Sequence, residues 1–90
     1  MPFHVYVLRN PEGRIYTGQT QDLVRRLREH NDPADRTTRH TKRHSGPWTL
    51  LHSEEFRTRS EAMRRERELK TGKGRDWIRQ HLLQERGTPA

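Results

Sequence analysis

Residues 5–20, VYVLRNPEGRIYTGQT, hold two short apolar runs, each with a tyrosine, joined by a turn and leading into an arginine-rich segment. The first run reaches back to Phe3, and FHVYVL is apolar or aromatic at nearly every position. Such a continuous run predicts a strand buried on both faces and central in its sheet. Asn-Pro-Glu-Gly (10–13) places proline at the second turn position and glycine at the fourth, which predicts a type I turn followed by a glycine bulge. RIYTG (14–18) is then the partner strand. With that bulge Asn10 pairs with Arg14, so Tyr6 falls opposite Gly18 and Leu8 opposite Tyr16. Paired residues share a face of the sheet. Tyr6 and Tyr16 should therefore project from one side, with open space at Gly18. Tyrosine is also simply a good strand residue, so the hairpin alone leaves the purpose of the two rings open.

Downstream, TQDLVRRLREHN (20–31) predicts a helix with Thr20 as cap, Leu23, Val24 and Leu27 as its apolar stripe, and Asn31 with Pro33 as its stop. Residues 32–47 are polar and basic and read as a loop, with a short helix around DRTTRHTKR. WTLLHSEEF (48–56) is a third strand. TRSEAMRRERELKTG (58–72) reads as a helix opened by a Thr58-x-x-Glu61 capping box and closed at Gly72. DWIRQHLLQERG (76–87) is a last amphipathic helix on Trp77, Ile78, His81 and Leu82. The expected fold class is α+β: a three-stranded antiparallel sheet flanked by helices, in the order β-β-α-(short α)-β-α-α. It forms a single domain over 1–86, with 87–90 a frayed tail.

Helical spacing of about 100° per residue then sorts the charges. Arg26 and His30 lie side by side at one edge of the first helix's stripe, while Arg25 and Arg28 point away. Arg26 either snorkels over the core or pairs with a surface carboxylate, or is held there for use. In the 58–72 helix Ala62, Met63 and Leu69 mark the inward face, and Glu66 falls in its middle. A carboxylate on a buried stripe is costly without a cation to meet it. That cation is either Arg26 in an ion pair or a divalent metal, and the basic composition favours the metal.

The chain of 90 residues has 19 Lys and Arg against 12 Asp and Glu, a formal charge of +7 that points to a polyanionic partner, most often nucleic acid. Only 27% of residues are hydrophobic, yet their periodic clustering argues against disorder. With no cysteine, disulfides and thiolate-bound zinc are excluded. The N-terminus lacks the features of a signal peptide, and no apolar run approaches the roughly 20 residues a membrane helix needs. A cytoplasmic protein with no membrane association is expected.

A tyrosine in the first strand, YTG closing the second, an arginine eight residues later and a glutamate on a later helix together resemble the GIY-YIG endonucleases. The blocks YTGQTQDLVRRLREHN and LLHSEEFRTRSEAMRRERELK look closest to the short single-domain branch related to the N-terminal nuclease domain of the repair excinuclease. The first motif reads VYV rather than Gly-Ile-Tyr and the second YTG rather than Tyr-Ile-Gly, each keeping its tyrosine. No asparagine follows Asn31, so the late asparagine of some relatives has no counterpart. The resemblance implies Tyr6, Tyr16, Arg26, His30, His40 and Glu66 as catalytic residues, with Glu66 the single ligand of Mg²⁺ (or Mn²⁺).

By the same resemblance, Arg26 forks onto the non-bridging phosphate oxygens. The base is Tyr6, with Tyr16 orienting the water, or one of His30 and His40. Gly18, Arg25, Arg36, Arg39, Lys42, Arg43 and His44 form the expected nucleic-acid-binding set, contacts that position a substrate without reading its sequence. The implied function is Mg²⁺-dependent endonucleolytic hydrolysis of nucleic acid in repair or processing. DNA is expected over RNA, with low sequence specificity and structure selectivity. A monomer or weak dimer is expected, with a protein partner as one source of specificity. The alternatives are a catalytically inactive nucleic-acid-binding module of the same fold, and an interaction protein that supplies only charge to a repair complex.

Overall fold

In the computed structural model, residues 2–32, 34 and 46–83 are described. Strands β1 (Phe3–Arg9), β2 (Ile15–Thr20) and β3 (Thr49–Phe56) form one antiparallel sheet in the order β2-β1-β3. The central strand is the one whose sequence is apolar throughout, and Val5, Tyr6, Val7 and Leu8 are all buried. The hairpin follows the expected register: Tyr6 opposes Gly18 and Leu8 opposes Tyr16. Asn10 builds the turn, its N–H donating to the Arg14 carbonyl (3.1 Å) and its Oδ1 accepting from the Arg14 N–H (2.7 Å). Gly13 takes the left-handed φ of 87° that the bulge requires.

Helix α1 (Leu23–Asn31) covers one face of the sheet, α2 (Arg59–Leu69) and α3 (Gly72–Ile78) the other, and a π-helical turn (Arg79–Leu83) continues α3. Side-chain alternation explains the division. Val5 and Val7 face Ala62, Leu69 and Ile78 from α2 and α3. Tyr6 and Leu8 face Trp48, Leu23 and Leu27. The fold is thus the expected α+β sheet. The short helix expected around DRTTRHTKR, the end of the last helix and the tail lie outside the described residues.

Several boundaries and facings differ from expectation. Helix α1 is capped by Asp22, whose Oδ1 accepts from the Arg25 N–H (3.1 Å), and the expected cap Thr20 stands two residues earlier, its Oγ1 accepting from the Asp22 N–H. The buried stripe centres on Leu23, Leu27 and His30 at i, i+4 and i+7, and Val24, roughly 90° round the helix from that centre, is left 69% exposed. Met63 is likewise 42% exposed, because a seam of Ala62 and Leu69, seven residues apart, is too narrow to include it. The Thr58–Glu61 capping box forms as expected. The helix it opens ends at Leu69 rather than Gly72, and Thr71 caps a new helix through the Gly74 N–H (3.1 Å). Gly72 therefore begins an element instead of ending one. Asn31 clamps the Trp48 backbone, accepting from its N–H (2.7 Å) and donating to its carbonyl (3.0 Å), so the end of α1 is tied to the start of β3.

A polar cluster closes the outer side of the sheet. Arg65 forks onto Glu54 (2.8 and 3.0 Å), His52 meets the same carboxylate (2.7 Å), and the Arg65 guanidinium lies over the Trp77 ring. Burial pushes the Glu54 carboxyl upward, but the hydrogen bonds and charge of Arg65 and His52 outweigh it and hold the group below its usual range. A carboxylate with a lowered folded-state pKa stabilises above its unfolded value, near 4.5, and loses that contribution as pH falls through the folded value. Urea titrations between pH 6 and pH 3 should show wild type losing more stability on acidification than Glu54→Gln. Parallel curves would mean that the cluster contributes nothing to the acid transition.

Candidate active site

The site grows from the face of the sheet that α1 covers. Tyr6 projects from the central strand and is buried, with its hydroxyl 2.8 Å from Nε2 of His30, itself buried at the last turn of α1. Tyr16, on the edge strand β2, completes a triangle of rings: centroids lie 6.1 Å apart for Tyr6–Tyr16, 5.7 Å for Tyr6–His30 and 4.8 Å for Tyr16–His30. Gly18 makes the packing feasible. A Cβ there would stand 2.8 Å from the Tyr6 hydroxyl and 3.0 Å from the Tyr16 ring. The open space expected beside Tyr6 is thus filled by the two rings themselves.

Arg26 stands at the rim of this cluster, its side chain 30% exposed, and donates from Nη1 to Glu29 (2.8 Å). Glu29 also accepts from Arg25 (3.1 Å). The arginines hold the Glu29 carboxyl below its usual range, and Glu29 in turn raises the already high pKa of Arg26. Burial pushes the Tyr6 phenol strongly upward and the nearby Tyr16 adds to this, while the Arg26 guanidinium opposes both. The free protein therefore keeps Tyr6 protonated at neutral pH.

Glu66 sits on the other side of the sheet. It extends from α2 toward β2, where Oε1 accepts from Gln19 Nε2 (3.1 Å) and Oε2 from Lys70 Nζ (2.7 Å). Gln19 pairs with Val5 and so points away from the face that holds Tyr6 and Gly18. The side chain of Glu66 is 20% exposed, and its cationic partner is Lys70, not the Arg26 that the sequence suggested. The chain turns Arg26 to Glu29 because three positions of helix put them side by side.

The fold thus brings Tyr6, Tyr16, Arg26 and His30 together and places Glu66 across the edge strand from them. Arg25 is 72% exposed beside Glu29. His40, Arg36, Arg39, Lys42, Arg43 and His44 lie outside the described residues. Glu29, Gln19 and Lys70 are additions to the expected site residues. Glu29 is legible in the sequence as an i+3 and i+4 partner of two arginines, and Lys70 as i+4 from Glu66, whereas Gln19 meets Glu66 only through the fold.

Among the described residues no three His, Cys, Asp or Glu side chains gather as a metal site, so Glu66 is a lone carboxylate that could hold only a cation keeping most of its waters. Its carboxylate already receives one cationic group, and the half-exposed Lys70 ammonium that occupies Oε2 is on a flexible stem. Mg²⁺ usually keeps several waters and needs only one or two protein carboxylates.

Comparison with protein families matches residues 2–80 to the GIY-YIG catalytic domain. A UPF0213 protein of Halobacterium salinarum is 48% identical over 69 residues, which cover 74% of this chain and 83% of the relative. A UPF0213 protein of Streptococcus agalactiae is 41% identical over 66 residues, covering 73% of this chain and 72% of the relative. The solution NMR structure of a UPF0213 protein from Bacillus halodurans superposes with a TM-score of 0.53 at 30% identity, covering 99% of this chain and 89% of that one.

Proposed function

The chain belongs to the GIY-YIG catalytic domain family, and from that premise we propose that it is a metal-dependent endonuclease of low sequence specificity that hydrolyses phosphodiester bonds, with DNA as its substrate. A GIY-YIG domain implies nuclease activity on nucleic acid. The observation that carries the finer reading is the packed set Tyr6, Tyr16, His30 and Arg26 with the Glu66 carboxylate reaching the same edge strand. No helix among the described residues is long and apolar enough to cross a membrane.

Because β2 is the sheet's edge, a phosphate lying against that edge meets the tyrosine face on one side and Glu66 on the other. Glu66, oriented by Gln19, would hold the hydrated Mg²⁺ or Mn²⁺, which when bound supplies positive charge to the phosphate oxygens. Arg26 adds a guanidinium fork as charge builds there. Tyr6 is too strongly protonated to act as a base alone. It works as a relay: its hydroxyl takes a proton from the attacking water while passing its own to His30 Nε2, 2.8 Å away. Tyr16 packs against both and fixes their orientation. The leaving oxygen takes up a proton from solvent as His30 gives its own back, so the alcohol leaves neutral and the relay is restored. No step requires His40.

Labelled single-stranded, duplex, flap and branched DNA, and matching RNA, incubated with Mg²⁺ or Mn²⁺, test this reading. Cutting by wild type that EDTA stops and Arg26→Ala removes is the expected result. Binding without cutting on every substrate would replace it with an inactive binding module.

A further inference from the structure

Beside the catalytic face, along the free edge of β2, lies a cleft of about 670 Å³. Tyr16 and Thr17 both line it although their side chains alternate, so it runs along the strand's edge and begins where the ring cluster ends. Its floor is apolar, made by the partly buried Ile15 and Leu83 over the fully buried Leu69 and Ile78. Its rim is cationic: Lys70, Arg75 and Arg79.

Two of these cations have acidic partners, Lys70 with Glu66 (2.7 Å) and Arg79 with Asp76 (3.1 Å). Arg75 is exposed and makes no ion pair among the described residues. An apolar floor under a cationic rim matches a flat base attached to phosphates. The volume falls within the ~300–1,000 Å³ of sites that enclose small organic molecules, which is room for a nucleotide and not for a duplex. A base held in a helical stack cannot enter it without being turned out.

We infer that this cleft receives one unpaired nucleotide next to the scissile phosphate, its base on Ile15 and Leu83 and its phosphates on Arg75 and Lys70. The inference rests on the nuclease reading and adds to it a substrate class, nucleic acid with a single-stranded segment. Engagement of Lys70 by phosphate also loosens its pairing with Glu66, so filling the cleft frees the carboxylate.

Fluorescence anisotropy of labelled 12-mers, single-stranded or duplex, in EDTA and in Ca²⁺, tests it with the intact chain. Single strands should bind about tenfold or more tightly than duplex. One abasic substitution walked along the strand should weaken binding roughly 5- to 100-fold at one position and little elsewhere, the range expected for losing one base contact. Arg75→Glu, on an exposed helical position, should lower single-strand affinity several-fold at an unchanged melting temperature.

Equal affinity for duplex, or an abasic walk without a sensitive position, overturns the inference even if wild type cuts DNA in Mg²⁺. The sensitive position without any cutting upholds the cleft and overturns the nuclease reading. Absence of binding to every nucleic acid overturns the cleft proposal and turns attention to a protein strand docking on the β2 edge.

Discussion

Glu66→Gln should lower phosphodiester cleavage by at least about 10²-fold, the size of effect seen when one group that stabilises transition-state charge is removed, with the fold intact. The amide has the carboxylate's shape, and its oxygen can still accept from Gln19. Only the exposed pairing with Lys70 is lost, and exposed pairs contribute at most about 1 kcal/mol. Stability and activity should therefore separate: a nearly unchanged circular dichroism melt beside a collapsed single-turnover rate. Raising Mn²⁺ should recover part of the rate if the loss is one of metal affinity. Full cleavage by the folded variant would remove Glu66 from the chemistry and leave it as a tether between α2 and β2.

Gly74→Ala should be the most destabilising of the single-methyl changes. A Cβ at Gly74 collides with the Glu68 carbonyl and the Leu69 backbone, where the start of α3 crosses the end of α2. Backbone cannot rotate aside as a side-chain tip can, so the helices must part. Overpacking of this kind costs about 1–3 kcal/mol or more. For a domain of this size that lowers the melting temperature by roughly 4–8 °C per kcal/mol. Gly72→Ala is the matched control. A Cβ there meets nothing within 4 Å, and the substitution reduces unfolded-chain entropy, so it should be neutral or stabilise by up to about 1 kcal/mol. Equal melts for the two variants would contradict the close crossing and, with it, the packing of Leu69 against Ile78 beneath the cleft.

The two glycines also mark the limit of what local sequence signals can tell. Gly72 looks like a helix stop because a glycine after an amphipathic run commonly is one. Thr71, however, caps forward onto Gly74, and the cap decided the boundary. Val24 and Met63 depart from expectation for a related reason. Periodicity gives the direction of an apolar stripe but not its width, and with so few apolar residues these stripes are narrow.

What the sequence determined by itself is local or strictly periodic. The Asn-Pro-Glu-Gly turn set a bulge, the bulge set the register, and the register put Tyr6, Leu8 and Tyr16 on one face with Gly18. The apolar run 3–8 made β1 central, and the Thr58–Glu61 spacing produced its capping box. Each depends on backbone geometry within a few residues, or on alternation along one strand. The helical pairs Arg26–Glu29 and Glu66–Lys70 are local too, but the long-range partners at the site were decided by tertiary structure. Only the docking of α1 buries His30 against Tyr6, 24 positions away, and only the docking of α2 brings Glu66 to Gln19, 47 positions away. Those contacts depend on how far each helix slides and rolls over the sheet. That placement is fixed by the packing of Leu23, Leu27, Ala62 and Leu69, not by the residues that then find themselves neighbours.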